Sequence, residues 1–332
     1  MQRQQQLTDW LHSLFPDTDF TLAPASSDAS FRRYFRATFP DGMTRIVMDA
    51  PPQHEDCRPF LHIGKLFEDA GTHVPHVYER NLEQGFLLLS DLGNTTYLQA
   101  LTSDNATQLY GAATDALIRI QLASRVAELP RYDEALLRRE LNLFPEWYIS
   151  RHLNVQLTDR QSAKLETVFQ RILANNLAQP CVYVHRDFHS RNLMLSEPNP
   201  GILDFQDAVY GPITYDLASL FKDAYIGWDE EQIIDWLVRY WERARKAGLP
   251  VHGDFGAFYR DYEMMGVQRH IKVLGIFARL CHRDGKDGYL KDMPLVMHYL
   301  RKACERYIDL KPLLNLLDEL EPQADQQVGY TF

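Results

Sequence analysis

Residues 181–207 read CVYVHRDFHSRNLMLSEPNPGILDFQD, and the order of polar and apolar residues in this stretch decides the fold. Val182-Tyr183-Val184 is a short β-type run that delivers His185-Arg186-Asp187 to a loop. Leu193-Met194-Leu195 is expected to pair across the turn Pro198-Asn199-Pro200-Gly201 with Ile202-Leu203, and Asp204 follows directly. The hairpin thereby brings Asp187, Asn192 and Asp204 to one end. A carboxylate that accepts a hydroxyl proton, beside an amide and a second carboxylate that offer hard oxygen to Mg²⁺, is what phosphoryl transfer requires. Two other readings use the same residues. Asp and Asn favour turns through local hydrogen bonds, so they would cap a hairpin without any chemistry; that leaves the convergence of three such groups unexplained. His185, Asp187 and His189 also alternate as an H-x-D-x-H metal-hydrolase set, for which only Asp204 and Asp207 offer further ligands.

The spacing H-R-D, four residues, Asn, an apolar strand and L-D-F resembles the kinase catalytic loop and metal-binding motif. The resemblance implies a protein-kinase-like α+β fold in two lobes, with Asp187 as catalytic base and Asn192 and Asp204 as metal ligands. His185 is then structural, and Arg186 and Arg191 either steady phosphate or pair with carboxylates. Asp216, in Gly211-Pro-Ile-Thr-Tyr-Asp216, follows Asp204 too closely for a long activation segment, so a platform for protein substrates is missing. Phe205-Gln206 stands where a switching Phe-Gly would be. Such a chain resembles the aminoglycoside phosphotransferase and choline kinase group, which phosphorylates small-molecule hydroxyls and in which the residue at Asp216 is a structural tie. The strings Asp28-Ala-Ser-Phe-Arg-Arg-Tyr-Phe-Arg36, Val47-Met-Asp-Ala-Pro-Pro52 and Phe86-Leu-Leu-Leu-Ser-Asp-Leu-Gly93, with the 181–207 island and Gly211–Asp216, narrow it further. From about Thr8 to about Leu310 the chain is similar to the bacterial N-acetylmuramate/N-acetylglucosamine anomeric kinases of cell-wall recycling. That similarity implies ATP and Mg²⁺ as cofactors, an amino sugar as substrate and a sugar 1-phosphate as product. A kinase of another small alcohol, such as an aminoglycoside, and a nucleotide-binding pseudokinase scaffold are the alternatives.

Outward from the island, the chain divides. Residues 1–92 carry β-branched and aromatic runs broken by turns, with Pro40-Asp41-Gly42 joining two strands as a hairpin. One helix interrupts them from Arg58 to Ala70, with Phe60, Leu61, Ile63, Leu66 and Phe67 largely on one face and Gly71 as its stop. Residues 93–332 are mainly helical. Leu109, Ala112, Ala113, Ala116, Leu117, Ile120 and Leu122 are spaced for one buried face. A second clear helix starts at Asp229 with Ile233, Ile234, Trp236, Leu237, Tyr240 and Trp241 inward. The expectation is a small β-rich nucleotide-binding lobe, 1–92, and a larger catalytic and substrate-binding lobe, 93–332, around a cleft.

The first lobe departs from the kinase pattern in two places. The turn over the phosphates is Ser26-Ser27-Asp28-Ala29-Ser30 rather than Gly-rich, although small residues still let backbone N–H groups approach phosphate. The strand Arg45-Ile46-Val47-Met48-Asp49 offers no lysine. Arg32 and Arg33 are the nearest replacement cations, and strand alternation lets at most one of them reach the nucleotide. The nucleotide set is therefore Ser27, Asp28, Ala29, Ser30, Arg32, Arg33 and the connector Ser90, Asp91 and Leu92, whose backbone meets adenine in kinase-like proteins.

For the acceptor sugar the candidates are Arg191, Asp207, Tyr225, Trp228 and Arg269. Tyr225 and Trp228 are placed to stack on a sugar face, although aromatics in helical lobes are mostly core. Arg269 and Lys272 share a helix face, which reads as a solvated face or as a seat for an acidic substituent. Gly285-Lys-Asp-Gly288 reads as an inter-helix turn.

Composition agrees with this reading. Among 332 residues, 35 Lys+Arg against 45 Asp+Glu leave a net charge of −10 without a basic block, which excludes the electrostatic footprint of a nucleic-acid binder. A hydrophobic content of 45% is enough to bury a core. No apolar run approaches the roughly 20 residues that span a bilayer, and MQRQQQLTDWLHSLF is amphipathic without a signal-peptide core. A cytoplasmic protein is expected, with no nucleic-acid, membrane or obligate protein partner. Cys57, Cys181, Cys281 and Cys304 form no C-x-x-C pair and are expected as buried thiols.

Overall fold

The computed structural model describes residues 2–27 and 31–321. In chain order the elements are α1 (Gln2–Leu14), β1 (Thr21–Ser27), β2 (Arg33–Thr38), β3 (Thr44–Asp49), α2 (Cys57–Asp69), β4 (Val77–Asn81), β5 (Phe86–Ser90), α3 (Tyr97–Ala100) and α4 (Ala106–Leu122). Next come α5 (Glu134–Leu141), a π-helical segment (Phe144–His152), α6 (Asp159–Ala178), β6 (Cys181–Val184), β7 (Leu193–Met194), β8 (Gly201–Ile202) and β9 (Val209–Pro212). The chain ends with α7 (Tyr215–Phe221), α8 (Glu230–Lys246), α9 (Phe255–Asp284), α10 (Met293–Arg306) and α11 (Lys311–Leu320). Two compact units result: the chain up to Ala123 with Arg191–Ala208, and Ser124–Ser190 with the chain from Val209 onward.

The first unit is built on an antiparallel sheet in the order β1-β2-β3-β5-β4. Phe39, whose N–H donates to the Met43 carbonyl, closes the expected hairpin turn, and Gly42 supplies the left-handed φ of +83°. Phe35 faces Val47 and Val47 faces Leu88, and since side chains alternate across a strand, Phe35, Ala37, Val47, Phe86 and Leu88 share one face. Leu7 and Leu11 of the amphipathic α1 cover that face and are fully buried against it. Tyr34, Arg36, Ile46 and Leu89 take the opposite parity and line a pocket. Helix α2 is capped by the Asp56 side chain at Arg58 N and followed by Gly71 at φ +76°. Its Gly64 lets the Phe205 ring in, because a Cβ there would lie 3.2 Å from that ring.

The β7–β8 hairpin pairs Leu193 with Ile202 and Met194 with Gly201, as expected. It is fastened within this unit by Ile202 N to the His73 carbonyl and Leu195 N to the Thr95 carbonyl, both 2.8 Å. These bonds, with Asn199 Nδ2 to Tyr97 Oη at 2.9 Å and Arg119 Nη1 to the Gly71 carbonyl at 2.8 Å, group α3, α4 and the hairpin with the sheet. The first compact unit therefore extends beyond the expected division at residue 92 and reclaims Arg191–Ala208.

In the second unit β6 pairs antiparallel with β9, from Cys181 opposite Pro212 to Val184 opposite Val209, a ladder the sequence pattern did not announce. Helix α9 is its axis. Gln268, Arg269, His270 and Lys272 are buried, so the polar stretch of α9 is not a solvated face. Gly275 admits the π-helical neighbour, since a Cβ there would lie 2.5 Å from the Leu143 backbone. Helix α8 buries Ile233, Trp236, Leu237 and Tyr240, while Ile234 and Trp241 are half-buried and Leu122 of α4 is exposed. Gly285 ends α9 at φ +67°, as the turn reading requires. Cys57 and Cys304 are buried, whereas Cys181 and Cys281 are only half-buried; all four are free thiols. No helix among the described residues is long and apolar enough to cross a membrane.

Candidate active site

The inner face of the sheet, α2, the chain after β5 and the β7–β8 hairpin enclose a pocket of about 360 Å³. Ile46, Leu89, Phe60, Met194 and Leu203 give it apolar walls, and Ser90, Asp91, Leu92 and Gly93 form its rim. The connector residues Ser90, Asp91 and Leu92 thus fall together. Ser90 is held in place by accepting the His76 N–H on its hydroxyl, and Leu92 is buried. Arg36 was not singled out from the sequence. From β2 its Nε donates to Asp91 Oδ2 at 2.5 Å, and its Nη2 to Asp91 Oδ1 at 3.0 Å and to the Gly93 carbonyl at 3.1 Å. Burial pushes the Asp91 carboxyl up, but bonds from Arg36, Gly93 N–H and Thr44, with the Arg36 charge, outweigh it and hold the group below its ordinary value.

Asn192 and Asp204 stand together on the pocket wall with Arg191. Asn192 Nδ2 donates to Asp204 Oδ2 at 3.3 Å, Gln206 Nε2 donates to Asp204 Oδ1 at 2.7 Å, and Leu203 N donates to the Asn192 carbonyl at 2.9 Å. Asp204 itself adopts φ +62°, an uncommon setting for a residue with a Cβ, which the surrounding bonds sustain. Among the described residues no group of three or more His, Cys, Asp or Glu side chains is placed to hold a metal ion. One carboxylate and one amide oxygen on the pocket wall fit Mg²⁺, which takes few protein ligands and completes its octahedron with water and substrate phosphate.

Arg32 and Arg33, of which at most one is expected to stand in for the missing lysine, each lie against a carboxylate. Arg33 shares its face with Phe35, away from the pocket, and its Nε donates to Asp49 Oδ2 at 3.1 Å; Arg3 Nε reaches the other oxygen of Asp49 at 2.6 Å. Arg32 precedes β2 with Nε 3.8 Å from Glu55 Oε2. At the lysine position Met48 is buried. Lys65 pairs with Asp69 on the exposed side of α2. Ser27 closes β1, and Asp28, Ala29 and Ser30 lie outside the described residues.

Asp187 belongs to the second unit, in the loop after β6. Asp216 of α7 accepts His185 N at 2.7 Å and Arg186 N at 3.0 Å, so the tie expected of it is present, and His185 Nδ1 accepts Asp187 N at 3.2 Å. Arg186 is held at φ +77°. Its Nη2 donates to Glu140 Oε1 of α5 at 2.5 Å, an internal carboxylate rather than one at the surface. Burial raises the Asp187 carboxyl, but the charges of Lys272, His189, Arg186 and Arg269 together bring it below its ordinary value. Asp216 is different: burial outweighs its two N–H bonds and pushes it up to about 7.

The acceptor candidates separate. Arg269 is buried and donates from Nε to Ser219 Oγ at 2.6 Å, while Ser219 reaches the Arg186 carbonyl at 3.3 Å, so Arg269 braces the Asp187 loop. Tyr225 sets its ring against His189 at 5.5 Å and Phe277 at 6.2 Å, and Trp228 packs edge-on against Trp236 at 5.5 Å. Asp207 is exposed in the turn before β9. Ser190, beside the loop, donates from its N–H to the buried Asp223 at 2.9 Å, a second tie that the sequence did not signal.

Residues 21–254 match the model of a phosphotransferase enzyme family. The chain is 51% identical to an N-acetylmuramate/N-acetylglucosamine kinase of Pseudomonas putida, over 97% of this chain and 98% of that one. It is 49% identical to the protein of the same name from Neisseria meningitidis, over the whole of both chains. Among solved structures it is similar to a choline kinase from Cryptosporidium parvum, with TM-score 0.63 at 13% identity over 94% of this chain and 99% of that one. An ADP-bound aminoglycoside phosphotransferase gives TM-score 0.59 at 16% identity over 89% and 97%. Together these show the kinase-like α+β fold expected from the island, a small antiparallel-sheet part and a larger helical part.

Proposed function

Because the chain belongs to the phosphotransferase enzyme family, we propose that it transfers the γ-phosphate of ATP to the C1 hydroxyl of N-acetylmuramate and N-acetylglucosamine, giving the sugar 1-phosphates. The observation that carries the choice of sugar is the identity of about one residue in two, end to end, with kinases bearing those substrates in their names.

In this reading the apolar walls of the pocket take adenine against Ile46 and Leu89, and backbone groups of Ser90–Leu92 meet its edge. Arg36 shapes that rim and is neutralised by Asp91. Arg191, on the wall that carries Asn192 and Asp204, is the better placed cation for phosphate. Asn192 and Asp204 would hold Mg²⁺, which when bound neutralises charge on the transferring phosphate. Asp187 accepts a hydrogen bond from the acceptor hydroxyl and aims its oxygen at phosphorus. A carboxylate held below its ordinary value is a weak base, so its contribution is chiefly orientation, with the proton arriving late as the loose transition state collapses. Tyr225 and Trp228 are candidate walls for the sugar. We place the enzyme in the cytoplasm, where ATP is available, working on a small molecule without an obligate protein partner.

The test is turnover of ATP-Mg²⁺ with N-acetylmuramate, N-acetylglucosamine, their 1-O-methyl glycosides, aminoglycosides and choline. The two free sugars should be phosphorylated and the methyl glycosides should not, because they lack the C1 hydroxyl. The product should lose phosphate in mild acid, since a sugar 1-phosphate departs through an oxocarbenium-like ion. Turnover of the methyl glycosides, or an acid-stable product, would move the reaction to another hydroxyl. Binding of ATP without turnover of any acceptor would make the chain a pseudokinase.

A further inference from the structure

Behind the Asp187 loop lies a buried ionic cluster that the reaction as described does not use. Its centre is Glu140, on α5, which is 4% exposed. Oε1 accepts Arg186 Nη2 at 2.5 Å and lies 3.1 Å from Lys272 Nζ; Oε2 accepts Gln268 Nε2 at 3.1 Å and the Tyr132 hydroxyl. A carboxylate has about four lone-pair sites, and here four donors crowd them: Lys272, Gln268 and Tyr132, all buried, and the half-buried Arg186. Lys272 also donates to Tyr215 Oη at 2.9 Å. Stability does not account for such a cluster, because well-packed apolar side chains of the same volume are as good or better in a protein interior.

What the cluster does touch is the reactive loop. Arg186 precedes Asp187 and adopts a left-handed backbone setting that is disfavoured in a residue with a Cβ. Asp216 grips its N–H and Ser219 its carbonyl, leaving the long side chain as the remaining lever on the Arg186–Asp187 peptide. Glu140 holds that lever, and Lys272 shares the same carboxylate oxygen. Resting on the reading of Asp187 given above, we propose that Glu140 and Lys272 are positioning residues, which clamp Arg186 from α5 and α9 and so fix the Asp187 carboxylate for attack by the acceptor hydroxyl.

The test is steady-state kinetics of the full chain with ATP-Mg²⁺ and N-acetylglucosamine, alongside thermal melting. Glu140→Gln should lower kcat about 10–100-fold, the scale of a misplacement near 1 Å, and leave the KM for ATP within about twofold. Combined with Asp187→Asn, the same change should cost no more than about twofold further, because an effect routed through Asp187 vanishes once that carboxylate is gone. If Glu140→Gln does not fold, the comparison of Lys272→Met with Lys272→Arg decides: the first should lose at least tenfold in kcat and the second recover most of it. A kcat within twofold of wild type in the folded Glu140 or Lys272→Met variant would overturn the proposal. So would an equal loss with and without Asp187. Absence of turnover by the unmodified chain would instead count against the proposed function.

Discussion

Arg36 on β2 and Asp91 just past β5 form a two-pronged ion pair, at 2.5 and 3.0 Å, on the rim of the pocket. The pair spans from one strand to the segment that follows another, and Asp91 also accepts the Gly93 N–H at 3.0 Å. The rim is therefore set by side chains although its proposed contacts with a nucleotide are made by backbone. Arg36→Ala should raise the KM for ATP about tenfold and leave kcat within about threefold, the pattern of lost uniform binding. Initial rates over a range of ATP at saturating sugar measure this, and an unchanged KM would remove Arg36 from the nucleotide site.

Replacing Asp187 with Asn should depress kcat by about 10²–10⁴-fold while the protein still binds ATP, because an amide orients the acceptor hydroxyl less firmly than a carboxylate and cannot take its proton late in the reaction. Calorimetric titration with ATP-Mg²⁺ checks the second half. Near-normal turnover by this variant would assign the chemistry elsewhere.

Asn192 and Asp204 should differ in their metal response. Asp204→Ala removes the charged ligand and should abolish activity at any practical Mg²⁺ concentration, whereas Asn192→Ala should shift the Mg²⁺ dependence to higher concentration. Rates against Mg²⁺ at fixed ATP distinguish the two. Identical metal curves for both variants and wild type would exclude the pair.

Arg33 faces the α1 side of the sheet, so Arg33→Ala should leave the KM for ATP unchanged. It should instead cost about 1 kcal/mol of stability, a modest figure because the arginine is half exposed and Arg3 still pairs the buried Asp49. Urea unfolding reads the stability, and a raised KM would restore Arg33 as the substitute for the missing lysine.

The Asp216 carboxyl is pushed up to about 7 from an ordinary 3.8. The folded protein therefore binds this proton more tightly than the unfolded chain does. Its contribution to stability is complete below about pH 4, declines as pH rises towards 7, and is level above that. Asp216→Asn removes the titration. The unfolding free energy of wild type minus that of the variant should accordingly fall between pH 4.5 and 7. A difference that is level or rising over that interval would show the group ionised in the fold.

Local order in the sequence was enough for the β7–β8 hairpin, the hairpin at residues 40–42, helix α2 and the Asp216 tie. Each depends on neighbours in the chain: a strand period of two, a helix stop at Gly71, an H-R-D followed by Asn at fixed spacing. The family was legible for the same reason, since its motifs are contiguous strings. What the tertiary structure decided are relations between residues far apart. Alternation separates Arg32 from Arg33, but only the packing of Leu7 and Leu11 on one face of the sheet shows which parity meets the pocket, and it puts Arg36 there and turns Arg33 away. The polar residues of α9 read as solvated because their partners, Glu140, Ser219 and Tyr215, lie on other helices, some more than a hundred positions away. Burial of a charge depends on whether a counter-charge arrives from elsewhere in the fold, and no window along the chain contains that information.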